Sequence, residues 1–263
     1  MTAKQVSAEV SLVEPVAAAT FRIDLRARPI AAAAAPGQFV MVGPLSPGSS
    51  DPFLNRPISI AGVGSQGTIE LIVGVVGRGT ELLSQVRVGQ RIGLLGPQGH
   101  GFSEPLSGQR LMLVAGGLGI APLRFLALRA ADRGARVSLL YGASTKARLI
   151  ALDELIEREI ALKRATDDGS AGARGMVTDL LAEMLRHEAP GVTPGMIAAC
   201  GPLPMMRTVS ELGGRASWPV ELSLESRMAC GVGACLGCAL DLPGGKRRAC
   251  VDGPVFSSHE VFP

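Results

Sequence analysis

The chain of 263 residues is poor in aromatic residues, in histidine and in charge of one sign. One Trp, one Tyr and seven Phe leave few side chains that could stack on a flat ring. The histidines, His100, His187 and His259, are too scattered for a catalytic constellation, and we interpret them as surface or loop residues. With 26 basic and 23 acidic side chains the net charge is +3, which is too small to predict a nucleic-acid or membrane partner.

Long hydrophobic runs are also missing. Leu111–Leu126 is the longest candidate for a membrane span, and glycines, a proline and an arginine interrupt it. The first nine residues lack the apolar core of a signal peptide, so we expect a cytoplasmic protein. Hydrophobic residues nevertheless make up 47% of the chain, which is enough for buried cores and excludes disorder.

Cysteines are few but clustered near the C-terminal end. Cys230, Cys235, Cys238 and Cys250 follow the spacing Cys-x4-Cys-x2-Cys-x11-Cys, whereas Cys200 stands alone. This spacing is typical of plant-type 2Fe–2S ferredoxins. The loop contains three glycines, which let the backbone fold closely around a cluster and direct amides at its sulfurs. Structural zinc is the alternative, although zinc sites usually pair two short knuckles and this sequence has one Cys-x2-Cys.

Residues 1–103 predict an antiparallel barrel, because short strand-like runs alternate with turn residues. The predicted strands are Ala8–Val13, Thr20–Leu25, Gln38–Val42, Ile58–Ala61, Thr68–Val76 and Arg91–Leu95. One short helix is predicted over residues 79–85, with Thr80 as its N-cap.

Residues 104–215 alternate between strand and helix, which predicts a parallel sheet with crossover helices. The predicted strands are Arg110–Ala115, Val137–Tyr141 and Met196–Cys200, and the helices are Leu123–Ala131, Thr178–Arg186 and Leu203–Leu212. Residues 216–263 hold the clustered cysteines. The predicted fold class is therefore multi-domain β plus α/β: an antiparallel barrel, a parallel-sheet α/β domain and a small C-terminal cysteine subdomain.

Two motifs in the barrel segment suit a pyrophosphate. Arg56-Pro57-Ile58-Ser59 offers a guanidinium that can fork onto a phosphate. Gly77-Arg78-Gly79-Thr80 offers amides at the start of a short helix. The alternative for the first motif is a solvated arginine before a strand.

Two further motifs follow predicted strands of the α/β segment. Gly116-Gly117-Leu118-Gly119-Ile120-Ala121-Pro122 is not the G-x-G-x-x-G fingerprint, but its glycines would let backbone approach a dinucleotide's phosphates. Cys200-Gly201-Pro202-Leu203-Pro204-Met205 lies at another strand end, so both turns could line one crevice. The alternatives are a turn that serves packing alone and, for Cys200, a small buried apolar residue.

Taken in order, these motifs resemble the ferredoxin–NADP reductase family over about residues 5–215. In that family a flavin-binding barrel precedes a nicotinamide-nucleotide domain. The tail from Ser223 to Cys238 narrows the resemblance to the electron-transfer subunits of NAD-dependent (type B) dihydroorotate dehydrogenases, over essentially the whole chain.

The resemblance implies three binding sites. FAD would contact Arg56, Pro57, Ile58, Ser59, Val73, Gly74, Val75, Gly79 and Thr80. NAD would contact Gly116, Gly117, Gly119, Ala121, Pro122, Cys200, Gly201, Pro202 and Met205. The four clustered cysteines would ligate 2Fe–2S. Two positions depart from the pattern: Ile58 stands where most ferredoxin reductases have Tyr, and Gly74 where a basic side chain is expected. His100 is expected near the flavin.

The implied function is electron transfer in pyrimidine biosynthesis. An FMN-containing catalytic subunit would oxidise dihydroorotate, and electrons would pass through 2Fe–2S and FAD to NAD⁺ in a heterotetramer of two of each subunit. The path needs no general acid or base on this chain. Alternatives are a related subunit of the sulfide dehydrogenase or NADH-dependent ferredoxin:NADP oxidoreductase type, or a zinc-stabilised nucleotide-binding redox sensor.

Two finer expectations concern the acceptor and the partner. The run from Gly142 to Arg148 has no acid for a ribose 2′-hydroxyl, and its two bases could meet a 2′-phosphate, but the resemblance implies NAD. Met228, Ala229, Val232 and Leu236 surround the cysteine loop with apolar side chains, which predicts that this loop docks on the partner.

Overall fold

The computed structural model describes residues 3–43, 51–187 and 194–263. The strands are β1 (Lys4–Ala17), β2 (Thr20–Arg26), β3 (Phe39–Val42), β4 (Arg56–Gly64), β5 (Thr68–Gly74), β6 (Arg91–Gln98), β7 (Arg110–Gly116), β8 (Arg136–Ala143), β9 (Ala161–Thr166), β10 (Ala173–Arg174), β11 (Met196–Cys200), β12 (Val220–Ser223), β13 (Ala239–Leu242), β14 (Gly245–Arg248) and β15 (Val255–Ser257). The α-helices are α1 (Arg28–Ala31), α2 (Arg78–Ser84), α3 (Ile120–Asp132), α4 (Asp153–Ile156), α5 (Val177–Arg186), α6 (Leu203–Arg215) and α7 (Ser258–Val261).

These elements form two compact units. The first contains residues up to Gly101 together with 225–254, and the second contains 102–224 together with 255–263. The predicted boundaries after residues 103 and 215 differ from this division, because residues 220–223 and 255–257 supply strands to the sheet of the second unit. The three-domain description stays a prediction.

The first unit is built on a closed antiparallel barrel with strand order β1-β2-β5-β4-β3-β6. All six predicted strands are present. In β2, Phe21, Ile23 and Leu25 are buried while the residues between them are half-buried, as a strand with one face on a core requires. The antiparallel barrel predicted from the short strands and turns of residues 1–103 is thus confirmed.

The predicted N-cap of α2 is wrong. The helix begins at Arg78, so Gly77 is the N-cap and Thr80 is the third helical residue. The Thr80 hydroxyl instead reaches back and accepts hydrogen bonds from the N–H groups of Val76 and Gly77, at 3.0 and 3.2 Å. Thr80 therefore stabilises the helix start from inside its first turn.

The second unit is built on a seven-stranded sheet with strand order β10-β9-β8-β7-β11-β12-β15. Strands β7 to β12 pair in parallel, and β15 adds an antiparallel edge. From β7 the sheet continues through β8, β9 and β10 in one direction, and from β11 it continues through β12 in the other. The strand order therefore reverses between the neighbours β7 and β11. An open sheet binds ligands at such a point, beyond the carboxyl ends of its strands. Within the described residues no helix has the length and apolar character needed to cross a membrane.

Candidate functional site

The clustered cysteines lie in the first unit and are packed against its barrel. Cys238 and Cys250 are buried in one cluster with Phe39 and Met41 of β3, and their Sγ atoms are 3.2 Å apart. The β13–β14 hairpin spans the chain between them. Packing on the barrel therefore brings together two thiols that are 12 residues apart in sequence.

The other two cysteines form a second pair on the loop. The Cys230 Sγ accepts hydrogen bonds from the N–H groups of Val232 and Cys235, both at 3.4 Å. The Gly237 N–H donates to the Cys235 Sγ at 3.4 Å. Backbone amides thus already point at sulfur, which is the arrangement that stabilises thiolates bound to a cluster.

Two pairs of thiols suit two irons, each of which takes two thiolates. A single tetrahedral zinc would need all four sulfurs about 2.3 Å from one point. The paired arrangement therefore fits the iron–sulfur prediction better than the zinc alternative.

The cysteine loop depends on backbone conformations that favour glycine. Gly231 and Gly233 have φ angles of +70° and +80°. A Cβ atom on Gly231 would clash with the Met41 side chain, and one on Gly233 would lie 2.6 Å from a Val251 methyl carbon. Leu236 adopts a similar φ of +59° without being glycine, and its side chain is 61% exposed. The loop combines tight packing on the barrel with an apolar residue held out in solvent.

Two of the clustered thiols, Cys230 and Cys250, differ in acidity. The Val232 N–H is the largest cause of a fall in the pKa of Cys230 to about 6. Burial is the largest cause of a rise in the pKa of Cys250 to about 12, and the neighbouring Cys238 thiol adds to it. The loop thiol is therefore the easier one to deprotonate for metal binding.

A second site in the same unit centres on Arg56. Its Nη1 atom is buried and has no hydrogen-bond partner among the described residues. The guanidinium lies against Gly79, where a Cβ would overlap Arg56 Nε. Burial is the largest cause of a lowered Arg56 pKa, so a bound anion would relieve an unfavourable environment. The site fits the phosphate of a dinucleotide.

The structure partly assembles the other predicted FAD residues around Arg56. Pro57, Ile58 and Ser59 follow it in β4, whose neighbour β5 contains Val73 and Gly74. Val75 follows β5 directly, and Gly79 and Thr80 lie in the first turn of α2. Their contact with flavin stays a prediction. His100 is exposed, and its N–H donates to the Gly253 carbonyl at 2.6 Å; His187 and His259 are exposed as well.

The second unit brings both predicted nucleotide turns together where the strand order reverses. A Cβ on Gly116 would lie 2.8 Å from the Met205 Sδ and 2.9 Å from Pro202. A Cβ on Gly119 would overlap the Cys200 carbonyl. Gly117, Ala121, Pro122 and Gly201 lie on the same two turns or at the helix starts that follow them. Glycine is therefore required here for close packing, whether or not a ligand approaches.

An acidic turn that the sequence patterns did not predict lies beyond the carboxyl end of β9. Asp167 and Asp168 follow β9, a strand that was not predicted. The Asp168 carboxylate accepts from both the N–H and the hydroxyl of Ser170, at 2.9 and 2.6 Å, and the Ser170 hydroxyl accepts from the Lys146 N–H at 2.7 Å. Ser170 therefore links Asp168 to the loop after β8, whose run from Gly142 to Arg148 contains no acid. The sequence Asp-Asp-Gly-Ser after a short basic run is the pattern from which this turn could have been predicted.

Comparison with known proteins decides the family. The chain is 42% identical to the dihydroorotate dehydrogenase B (NAD(+)) electron transfer subunit of Desulforamulus reducens, with 98% of each chain covered. It is 40% identical to the subunit of the same name from Geobacillus thermodenitrificans, with 94% of each covered. The chain belongs to the family of dihydroorotate dehydrogenase B electron transfer subunits.

Two family descriptions match parts of this electron transfer subunit. Residues 225–262 match the iron-sulfur cluster binding domain of dihydroorotate dehydrogenase B, and residues 113–211 match the oxidoreductase NAD-binding domain. The first match contains all four clustered cysteines and favours iron over the zinc alternative. The second contains both nucleotide turns.

Solved structures agree with the fold of this family member. A structure of NADH-dependent reduced ferredoxin-NADP oxidoreductase, studied for flavin-based electron bifurcation, superposes with a TM-score of 0.84 at 30% identity and covers 97% of this chain and 90% of its own. A ferredoxin reductase of carbazole 1,9a-dioxygenase superposes with a TM-score of 0.69 at 23% identity, over 84% of this chain and 69% of its own, and shows the fold alone. The ferredoxin reductase-like architecture is confirmed.

Proposed function

We propose that this chain carries electrons from an FMN-containing catalytic subunit, which oxidises dihydroorotate, through a 2Fe–2S cluster and FAD to NAD⁺. When bound, these groups supply the electron chemistry, because the cluster carries one electron at a time, nicotinamide takes two as a hydride, and a flavin exchanges either. The observation that carries the proposal is one unit that holds both a doubly paired set of cysteines and an arginine with a buried, unpartnered nitrogen.

The barrel residues hold and orient the flavin in this proposal. Arg56 donates to a phosphate beside Gly79, where the absence of a side chain leaves room for the guanidinium. Ser59 lies three residues further along β4, about 10 Å away at the usual rise per residue. Strand β4 is therefore long enough to reach from the FAD phosphate at Arg56 to the flavin ring. Ile58 contributes an apolar surface without aromatic stacking.

The cysteine segment holds the cluster and shields its inner half. Cys238 and Cys250 anchor it to the barrel core, while Cys230 and Cys235 hold the half nearer to solvent. Val232 and Leu236, which are 49% and 61% exposed, flank the outer pair in sequence. We assign this apolar rim to the catalytic subunit, whose docking would bring its own electron carrier to the outer pair.

The second unit holds NAD⁺ at the turns after β7 and β11. Gly116, Gly117 and Gly119 let the dinucleotide phosphates approach backbone, and Gly201, Pro202 and Met205 border the same edge. Asp167 or Asp168 supplies the acid for the adenosine ribose, which favours NAD over NADP. Equal or better turnover with NADP would contradict this preference.

Anaerobic co-expression with the candidate catalytic subunit tests the function. We expect the purified complex to contain two subunits of each kind, iron, acid-labile sulfide, FMN and FAD, and to form NADH from NAD⁺ in the presence of dihydroorotate. A matched sample with Cys235→Ser should bind FAD but form no NADH. A complex that reduces ferredoxin with NADPH and ignores dihydroorotate would favour the oxidoreductase whose structure superposes at a TM-score of 0.84.

A further inference from the structure

Gln98 is a buried polar residue with an unmet hydrogen-bond donor. It is the last residue of β6 and is 8% exposed, and its Nε2 atom finds no acceptor among the described residues. Arg56 Nη1 is the other such buried atom in the described part of the chain. An unmet buried donor is unfavourable, so its presence points to a partner that the described residues do not supply.

The sheet register places Gln98 on a specific face of the barrel. Gln98 pairs with Phe39 of β3, and Phe39 pairs on its other side with Ser59 of β4. Directly paired residues share a face of the sheet. Since Phe39 packs in one buried cluster with Cys238 and Cys250, Gln98 faces the side of the barrel that carries the cysteines.

Two hydrogen bonds hold the backbone directly after Gln98. The next residue, Gly99, accepts a hydrogen bond from Gln38 Nε2 at 2.8 Å, and the His100 N–H donates to the Gly253 carbonyl at 2.6 Å. Gln38 is itself buried, but its Oε1 also accepts from the Ala35 N–H at 2.8 Å, so both of its ends are satisfied. The two glutamines therefore differ in one respect: only Gln98 has a spare donor.

We propose that Gln98 is a cofactor-binding residue that donates its amide N–H to an electron-rich acceptor on this face. This inference rests on the proposed function, which supplies two sources of such an acceptor: the flavin ring and the sulfurs of the cluster. A donated hydrogen bond stabilises the reduced, more negative form of either group and so raises its midpoint potential.

Gln98→Met tests this assignment, because Met has a similar size and no donor. If the flavin is the acceptor, we expect the Kd for FAD to rise about two- to tenfold and the flavin potential to fall, with the cluster's electron paramagnetic resonance unchanged. If the cluster is the acceptor, its potential should fall and its resonance should change, with FAD affinity unchanged.

Gln38→Met is the matched control. It removes two hydrogen bonds inside the chain, so it should lower the unfolding temperature and leave both potentials of the folded protein unchanged. Gln98→Glu is the second variant, since it keeps the length of the side chain and replaces the donor with an acceptor; it should lower the same potential further.

Unchanged FAD affinity and unchanged potentials in both Gln98 variants would overturn the inference. That outcome differs from failure of the proposed function, which would appear as wild-type protein without iron, sulfide or FAD. All measurements use the full loaded chain, and its visible spectrum reports on occupancy before any variant is compared.

Discussion

The two cysteine pairs stand in contrasting environments. Cys238 and Cys250 are 2% and 1% exposed and pack on Phe39 and Met41. Cys230 is half-buried and Cys235 is exposed, and backbone amides of their own loop surround their sulfurs. The inner pair thus lies in a small buried cluster against β3, whereas the outer pair belongs to a surface loop.

This contrast suggests that the two cysteine pairs have different roles within one cluster site. A buried anchor fixes the site relative to the barrel, where the proposed flavin lies. The outer pair, with Cys235 exposed, would let the proposed partner approach within electron-transfer distance. A site buried on all sides would be stable but closed to a partner, and a site on a free loop would be accessible but poorly positioned.

Serine substitution in each pair should distinguish the role of the inner pair from that of the outer pair, and it has the largest expected effect. Cys238→Ser and Cys235→Ser should both lose cluster iron, because each removes one of the four proposed ligands. In the cluster-free chains, Cys238→Ser should be less stable by about 1–3 kcal/mol, since it buries a hydroxyl among apolar side chains. Iron analysis and denaturant unfolding measure the two effects. Equal stabilities would contradict the contrast.

Alanine substitution at the loop glycines has an intermediate expected effect. Gly231→Ala should destabilise the chain by about 1–3 kcal/mol and reduce cluster occupancy, because its Cβ meets Met41 and its φ is +70°. Gly237→Ala is the control, since its Cβ would make an ordinary contact of 3.5 Å with the Cys235 Sγ. Thermal unfolding and the iron content of both variants check the prediction; a neutral Gly231→Ala would show that the loop is not held by the barrel.

Much of the fold followed from residue patterns, and the exceptions have physical causes. Strand β11 has the predicted bounds, Met196–Cys200, because all five residues are buried and apolar. Strand β9 was not predicted because Lys163 and Arg164 interrupt its apolar pattern. Strands β12 and β15 were not predicted because three or four residues are too few to show an alternation of buried and exposed side chains. Short strands exist only where neighbours supply their hydrogen bonds.

Prediction of the candidate site from the sequence has the same limit, because the arrangement of its residues depends on how the chain packs. Spacing identified the four cysteines but not their pairing, which depends on how residues 225–254 pack on β3. Gln98 belongs to no recognisable motif; it is notable because the fold buries its Nε2 atom without an acceptor among the described residues. Asp167 and Asp168 were not predicted as site residues because they follow β9, whereas the run from Gly142 to Arg148 follows the last predicted residues of β8.

Leu236 should have the smallest effect on the stability of the isolated chain and a large one on its assembly. Its side chain is 61% exposed, so Leu236→Asp should change the free energy of unfolding by less than about 0.5 kcal/mol. In the complex, an aspartate would bury an unpaired charge against the catalytic subunit, which should abolish co-purification while FAD stays bound. Val88→Asp is the control, because Val88 is 64% exposed in the barrel unit and lies outside the cysteine segment. Intact complex in Leu236→Asp, or its loss in Val88→Asp as well, would show that the outer cysteine pair is not the access point and that the contrast between the two pairs is one of packing alone.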